Sequence, residues 1–385
     1  MKHYNLRHKD GTIATRVVCA VCFLLFCFCW IYHFQADVLA VAQHVLSGGV
    51  TSYDRTIGAV IITLVLWLLQ MVVAAIVRLK RRTHALTYLP SMLLLMVLSD
   101  IHSDVDLHHS QWIWVWLAPL ILMVWGAMVW LSRQMLPFSS DDKEPTGLFS
   151  RRVWLNLLQM AAMMLVVAWV GNTNAVFHYS AHAEVSLLKG DVDEALRVGA
   201  RSLETNRRLT MLRVYALSKK GLLGQQLFCY PIAGSSQDML PMTLRPQMLS
   251  TDSIWRHLGA CPSATTNAEV YYKALERDSL ATSAVADYRL CGLLIDRNLD
   301  AFVRLLPRYY AVADSLPLPR HYQEALVLYR HLHTRPVIVY RDAVTDANWE
   351  ALRGVEAQYA KESERRYHVF DTFRDTYWYY YSYCR

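Results

Sequence analysis

The sequence predicts an all-α protein in two parts: a bundle of membrane-spanning helices, then a helical domain outside the cytoplasm. Three observations carry that expectation. The first 171 residues hold nine of the twelve Trp, only thirteen Lys and Arg, and a series of long apolar runs. From Asn172 onward come twenty-six basic and twenty-three acidic residues and eighteen of the twenty-two Tyr, the composition of an ordinary folded domain. The basic residues of the first part crowd alternate ends of its apolar runs, which sets orientation in a bilayer. Averaged over 385 residues, 54% hydrophobic, the mean hydropathy is only +0.17 and hides this division.

Residues 1–16 are polar and carry Lys2, Arg7, Lys9 and Arg16. The first span follows at 17–34. A charged start, an apolar run and Ala40-Val41-Ala42 also fit a cleaved secretory signal. The reading preferred is a retained span, and either way the chain crosses outward here. Cys19, Cys22, Cys27 and Cys29 lie in or beside this run, where a lipid-facing helix offers neither water nor further metal ligands. Residues 34–55 form the first outer loop. Val38, Leu39, Ala42, Val45 and Leu46 suggest a short interfacial helix there, ending at Gly48-Gly49.

The second span is 56–77, stopped by Arg78-Leu79-Lys80-Arg81-Arg82. The third, 84–101, is the weakest, being short and carrying Pro90 near its start. An outer loop without Lys or Arg (SDIHSDVDLHHS) leads to the fourth span, 111–131, rich in Trp. The fifth is 153–171, whose nineteen residues at about 1.5 Å each cover roughly the hydrocarbon core. Its Asn156 and Gln159 are expected to hydrogen-bond a neighbouring helix.

The N-terminus, loop 78–87 and loop 132–152 each hold four Lys or Arg, whereas the outer loops hold one, Arg55. A central charge costs about 2.5–3.5 kcal/mol to insert, and basic loops stay cytoplasmic. Twelve against one predicts five spans, the N-terminus cytoplasmic and 172–385 outside. A merely re-entrant third segment would put the basic loop 132–152 on the wrong side.

The outer half reads as nearly all helix. After a Gly190-Asp191 turn a helix begins at Val192, with Ala195, Val198, Gly199, Ser202 and Leu203 on its packed face. LLKGDVDEALRVGARSLE resembles the turn and second helix of a tetratricopeptide repeat at Gly190, Asp191, Ala195 and Leu203, with Tyr179 at the aromatic position. It departs from that pattern at His182, Ala183, Ser186 and Arg207. A gapless second copy runs from Leu293 to Phe302, 106 residues later, near three repeat lengths of about 34. Met211–Phe228 supplies a degenerate pair, and Pro319–His333 another first helix. The resemblance implies a tetratricopeptide-like α-solenoid over about half of 172–385. Residues 230–265 interrupt it as an insertion, with a lid or partner-binding loop as the other reading. Residues 335–345 read as an extended connector, and Asp346 onward as one long capping helix. The whole layout resembles an uncharacterised family of bacterial multi-pass inner-membrane proteins, from which no active site carries over.

Chemistry-bearing clusters are few. Asp100, His102, Asp104, Asp106 and His108 combine imidazole and carboxylate, a weak candidate for a divalent metal against the plainer reading of a solvated loop. Asp37, His44, Asp54 and Arg55 form a weak catalytic candidate in the first outer loop. Cys229 and Cys261 flank a long segment, with a disulfide as one reading and free thiols the preferred one. No Gly-rich phosphate loop, Ser elbow or His-Glu-x-x-His occurs, and no cofactor is implied. The mild charge of the outer half argues against nucleic acid.

The expected function is a membrane-anchored interaction or scaffold protein whose helical domain meets a protein partner in the cell envelope. Its Tyr, and its preference for Arg over Lys, suit contact surfaces. The alternative is an enzyme acting on lipid-linked or surface polysaccharide through the outer Asp and His residues.

Overall fold

The computed structural model describes residues 2–79, 81–102, 112–134, 151–262, 267–312 and 318–384. Among them there are helices and no strands. The chain divides into two compact units, Met1–Asn174 and Ala175–Arg385.

In the first unit, α1 (Lys2–Cys29) does not stop at a loop. It passes through a π-helical stretch, Trp30–Gln35, straight into α2 (Ala36–Leu46). The expected first span, 17–34, is thereby part of a 32-residue apolar helix, Thr15–Leu46. Neither Gly nor Pro interrupts it, and a π turn absorbs one register slip without breaking the ladder. The left-handed Gly48 and Gly49 (φ +60° and +81°) follow its end. Then α3 (Arg55–Val77) starts on Asp54, whose carboxylate accepts the N–H groups of Thr56 and Ile57, and ends at the left-handed Arg78. Two more long helices follow, α5 (Trp112–Gln134) and α6 (Arg151–Val170), after the short α4 (Leu89–Ser99).

Four helices are thus long and apolar enough to cross a membrane, not the five expected. The expected third span, 84–101, is a 3-10 stretch, Arg81–Tyr88, joined to the 11-residue α4. Thr83 breaks helical geometry (φ −119°, ψ 18°), and Pro90 occupies the first turn of α4. Polar anchors nonetheless fix both ends of this segment in the bundle. At one end the Ala85 N–H donates to Asn156 Oδ1 at 2.8 Å, and Gln70 Nε2 donates to Thr87 Oγ1 at 3.1 Å. At the other, Trp30 Nε1 donates to Ser99 Oγ at 2.8 Å, the Asn172 N–H to the Ser99 carbonyl at 2.9 Å, and Trp114 Nε1 to Asp100 Oδ2 at 2.8 Å. The segment therefore runs beside α6 from near its start to just past its end. Its 3-10 half rises about 2.0 Å per residue, so fewer residues cover the distance.

Cys19, Phe23, Cys27 and Ile31 form an i, i+4 stripe on α1 that packs with Leu66, Tyr88, Met92, Met160 and Val167. The outward faces stay apolar: Trp116 is 79% and Trp169 84% exposed. Such a surface is a liability in water but natural against lipid.

In the second unit three helix pairs share one turn: α7–α8 (Ala175–Leu188, Val192–Arg197), α9–α10 (Arg207–Lys219, Leu223–Gln226) and α13–α14 (Ala284–Ile295, Leu299–Leu305). The turn residue has positive φ each time: Gly190, Gly221 and Arg297. Each following N–H reaches back five residues, from Asp191 to Ser186, Leu222 to Leu217 and Asn298 to Leu293. This is the Schellman closure, which satisfies the last carbonyls of the first helix. Asp191 and Asn298 then cap the second helices. The structural equivalents are thus Gly190 and Arg297, one residue off the gapless match of Leu187 with Leu293.

Several expectations change here. Helix α8 ends at Arg197, because Val198 turns extended (ψ 123°), so Val198, Gly199, Ser202 and Leu203 lie beyond it and Leu203 is 65% exposed. The insertion within 230–265 brings α11 (Thr251–Leu258) and a 3-10 turn at Ser236–Met239. Met239, Leu249, Ile254, Trp255 and Leu258 enter the core of the unit. After α12 (Ala268–Arg277) and α15 (Arg320–Leu332), the expected single capping helix is three: α16 (Ala343–Gln358), α17 (Glu362–Phe373) and α18 (Tyr377–Tyr383).

Candidate functional site

The first outer cluster does not converge into an acid–base site. Arg55 Nη2 meets Asp37 Oδ2 at 3.4 Å and its guanidinium lies 5.3 Å from the Tyr32 ring centroid. Asp54 is committed to capping α3. The His44 ring packs on Gly49, where an added Cβ would come within 3.2 Å of it. Of the metal candidates, Asp100 accepts from Trp114 and lies 3.6 Å from His102 Nδ1, while Asp104, Asp106 and His108 lie outside the described residues. Among the described residues no three His, Cys, Asp or Glu side chains group for a metal. Cys229 and Cys261 are free thiols, the first half-buried and the second exposed.

The second unit holds a different site, which the sequence reading missed. A cavity of about 310 Å³ opens between the turn after α8, the strand-like segment around Tyr230, and α17–α18. Arg201, Arg366 and Arg374 stand at its rim, all exposed, with Asp375 the one carboxylate in the lining among the described residues. Tyr230, Tyr380, Phe228 and Phe370 supply aromatic surface.

Arg213 on α9 lies behind the near wall and holds it together. It is only 2% exposed, donates from Nη2 to the carbonyls of Val198 (3.3 Å) and Gly199 (3.0 Å), and lies 5.0 Å from the Tyr230 ring centroid. Burial pulls its pKa down to about 10, which Tyr230 and Tyr179 oppose, so it stays charged at neutral pH. One buried cation thereby ties the turn to the segment facing it.

A hydrogen-bond chain fixes the far wall. The Phe228 N–H donates to His321 Nε2 at 3.3 Å, which leaves Nδ1–H to donate to Glu324 Oε2 at 3.0 Å. That same oxygen accepts the Tyr377 N–H at 2.7 Å, and Trp378 Nε1 donates to the Glu324 carbonyl at 2.7 Å. The Phe228 ring meets Tyr377 and Tyr380 at 4.9 and 4.8 Å between centroids. Arg297 sits over Tyr380 and donates to the carbonyls of Tyr380 and Cys384.

The chemistry this arrangement supports is binding. Guanidinium groups over aromatic surface accept a carboxylate or another anion with an apolar neighbour. Thr205 Oγ1, also in the lining, is buried without a hydrogen-bond partner among the described residues. Burial, then Asp375, pushes the Cys229 thiol up to about 11, and burial raises Cys384 as well, so neither is a thiolate near neutral pH. Among the described residues no His lines the cavity. A Ser218 Oγ–His257 Nε2 contact of 2.8 Å lies elsewhere in the unit, and no carboxylate among the described residues orients that imidazole.

Residues 267–384 match the model of a family of unknown function, DUF6057. The match takes in α12 through α18, hence the wall carrying Arg366, Arg374 and Tyr380, but not the wall carrying Arg201 and Tyr230. No curated protein and no solved structure matches the chain.

Proposed function

We propose that this chain is a membrane-anchored interaction protein whose C-terminal unit receives an acidic, aromatic-bearing segment of a partner protein outside the cytoplasm. The observation that carries the reading is the pocket itself: three rim arginines, one carboxylate and an aromatic floor held rigid from behind. Such a site recognises charge and a flat apolar group.

The orientation rests on two supports. The basic ends converge within the first unit, where Arg133 Nη2 donates to the Val77 carbonyl at 2.6 Å, beside Arg78. The segment 81–99, anchored at both levels of α6, acts as a fifth traverse despite its short helix. An odd number of traverses with cytoplasmic basic ends puts the N-terminus inside and the C-terminal unit outside. The repeated Schellman turns favour a tetratricopeptide-like array, and the resemblance of the layout to bacterial multi-pass inner-membrane proteins supports a place in the cell envelope.

The test is a titration of the full chain, in detergent, with a fluorescent peptide containing Glu and Tyr. The account expects binding that weakens with salt and falls by about tenfold or more in Arg201→Glu/Arg366→Glu. Equal binding by that variant, or displacement of the peptide by an acidic oligosaccharide that binds more tightly, contradicts it.

A further inference from the structure

The first unit contains a second cavity, unrelated to the one above, at the basic end of the bundle. Its volume is about 670 Å³, and Arg16, Arg78 and His84 line it together with Ala20, Met71 and Ala74. Arg16 lies at the start of the apolar helix Thr15–Leu46 and Arg78 directly after the end of Arg55–Val77. Both guanidinium groups therefore stand where hydrocarbon gives way to headgroups.

Neither arginine forms an ion pair among the described residues. Arg78 uses Nε on the Ala75 carbonyl at 3.2 Å, and its two terminal nitrogens make no hydrogen bond among the described residues. Its left-handed backbone (φ 48°) ends α3 and turns the chain at the mouth of the cavity. Arg16 is exposed and has no ion pair among the described residues. Deeper in the cavity the small side chains of Ala20 and Ala74, with Met71, leave an apolar slot between α1 and α3. Gln70, also in the lining, already donates to Thr87, so the depth of the slot carries no unsatisfied amide nitrogen.

We propose that this cavity binds one anionic phospholipid, its phosphate between Arg16 and Arg78 and one acyl chain along Ala20, Met71 and Ala74. Two cations beside an apolar slot at the hydrocarbon boundary match that ligand in charge and in polarity. A soluble anion would leave the slot unfilled, and a zwitterionic lipid would bring a second cation towards the two arginines.

The experiment is native mass spectrometry of the full chain, delipidated in detergent, with phosphatidylglycerol or phosphatidylcholine added in equal amounts. One tightly held phosphatidylglycerol is expected, with little phosphatidylcholine. Arg16→Gln/Arg78→Gln is expected to weaken phosphatidylglycerol by about 30-fold, at roughly a tenfold factor per 1.4 kcal/mol and about 1 kcal/mol per arginine. Arg16→Lys/Arg78→Lys restores part of the affinity, which separates lost charge from lost folding. Equal retention of both lipids overturns the proposal, as does release of the lipid by millimolar inorganic phosphate or an unchanged affinity in the Gln variant. Membrane fractionation of the same chain reads insertion separately, so failure here leaves the membrane anchoring standing.

Discussion

Arg213 stands over the ring of Tyr230 at 5.0 Å, joining the two parts of the chain that frame the C-terminal pocket. Its Nη2 simultaneously holds the Val198 and Gly199 carbonyls. Replacing it with Met keeps the bulk and removes the charge and both donors. Hydrogen bonds from a charged group are worth about 1.5–3 kcal/mol each, partly offset by the relief of burying a cation. Arg213→Met is expected to lower stability by about 2 kcal/mol, read as the denaturant midpoint of the full chain, and to weaken peptide binding.

Gly199 adopts φ +61°, and a Cβ there would lie 2.7 Å from the Tyr179 ring. Gly190 also has positive φ (+80°) but open space around it. Gly199→Ala therefore meets strain and collision, at about 2–3 kcal/mol, whereas Gly190→Ala meets strain alone, at about 1 kcal/mol. Paired thermal melts of the two variants read the difference.

His257 is half-buried and bonded to Ser218. Burial, then the charge of Lys219, lowers its pKa. The unfolded chain thus binds a proton more readily than the folded one, and stability is lost as pH falls through about 6.5. Urea midpoints at pH 8 and pH 5.5 are expected to differ more in the native chain than in His257→Gln. Equal differences in the two would exclude this residue as the source.

Asn156 accepts the Ala85 N–H deep in the bundle. Asn156→Leu leaves that donor without a partner at the point where helical geometry has already failed at Thr83. The expected cost is about 1–2 kcal/mol in detergent, and the segment 81–88 becomes the first to exchange its amide hydrogens.

Much of this architecture was legible in the residues. Apolar runs and their basic ends marked α3, α5 and α6, because lipid demands both length and charge placement. The Gly190-Asp191 turn announced the start of α8. Other features were not legible. Nothing in WIYHFQ distinguishes a π turn from a loop, so the continuity of α1 with α2 was hidden. The third segment looked like a short span because hydropathy does not register the steeper rise of a 3-10 helix. The second copy of the repeat, α13–α14, was matched one residue off, since apolar letters repeat more loosely than the positive-φ position shared by Gly190 and Arg297. The pocket escaped notice because its walls come from distant stretches, joined by a buried Arg213 that resembles any surface arginine in sequence.

Cys261 is an exposed free thiol in the C-terminal unit. A membrane-impermeant maleimide applied to intact spheroplasts, with the other cysteines replaced by Ser or Ala, measures which side Cys261 occupies. Labelling before lysis is expected. Labelling only after lysis would put the C-terminal unit, and its pocket, in the cytoplasm.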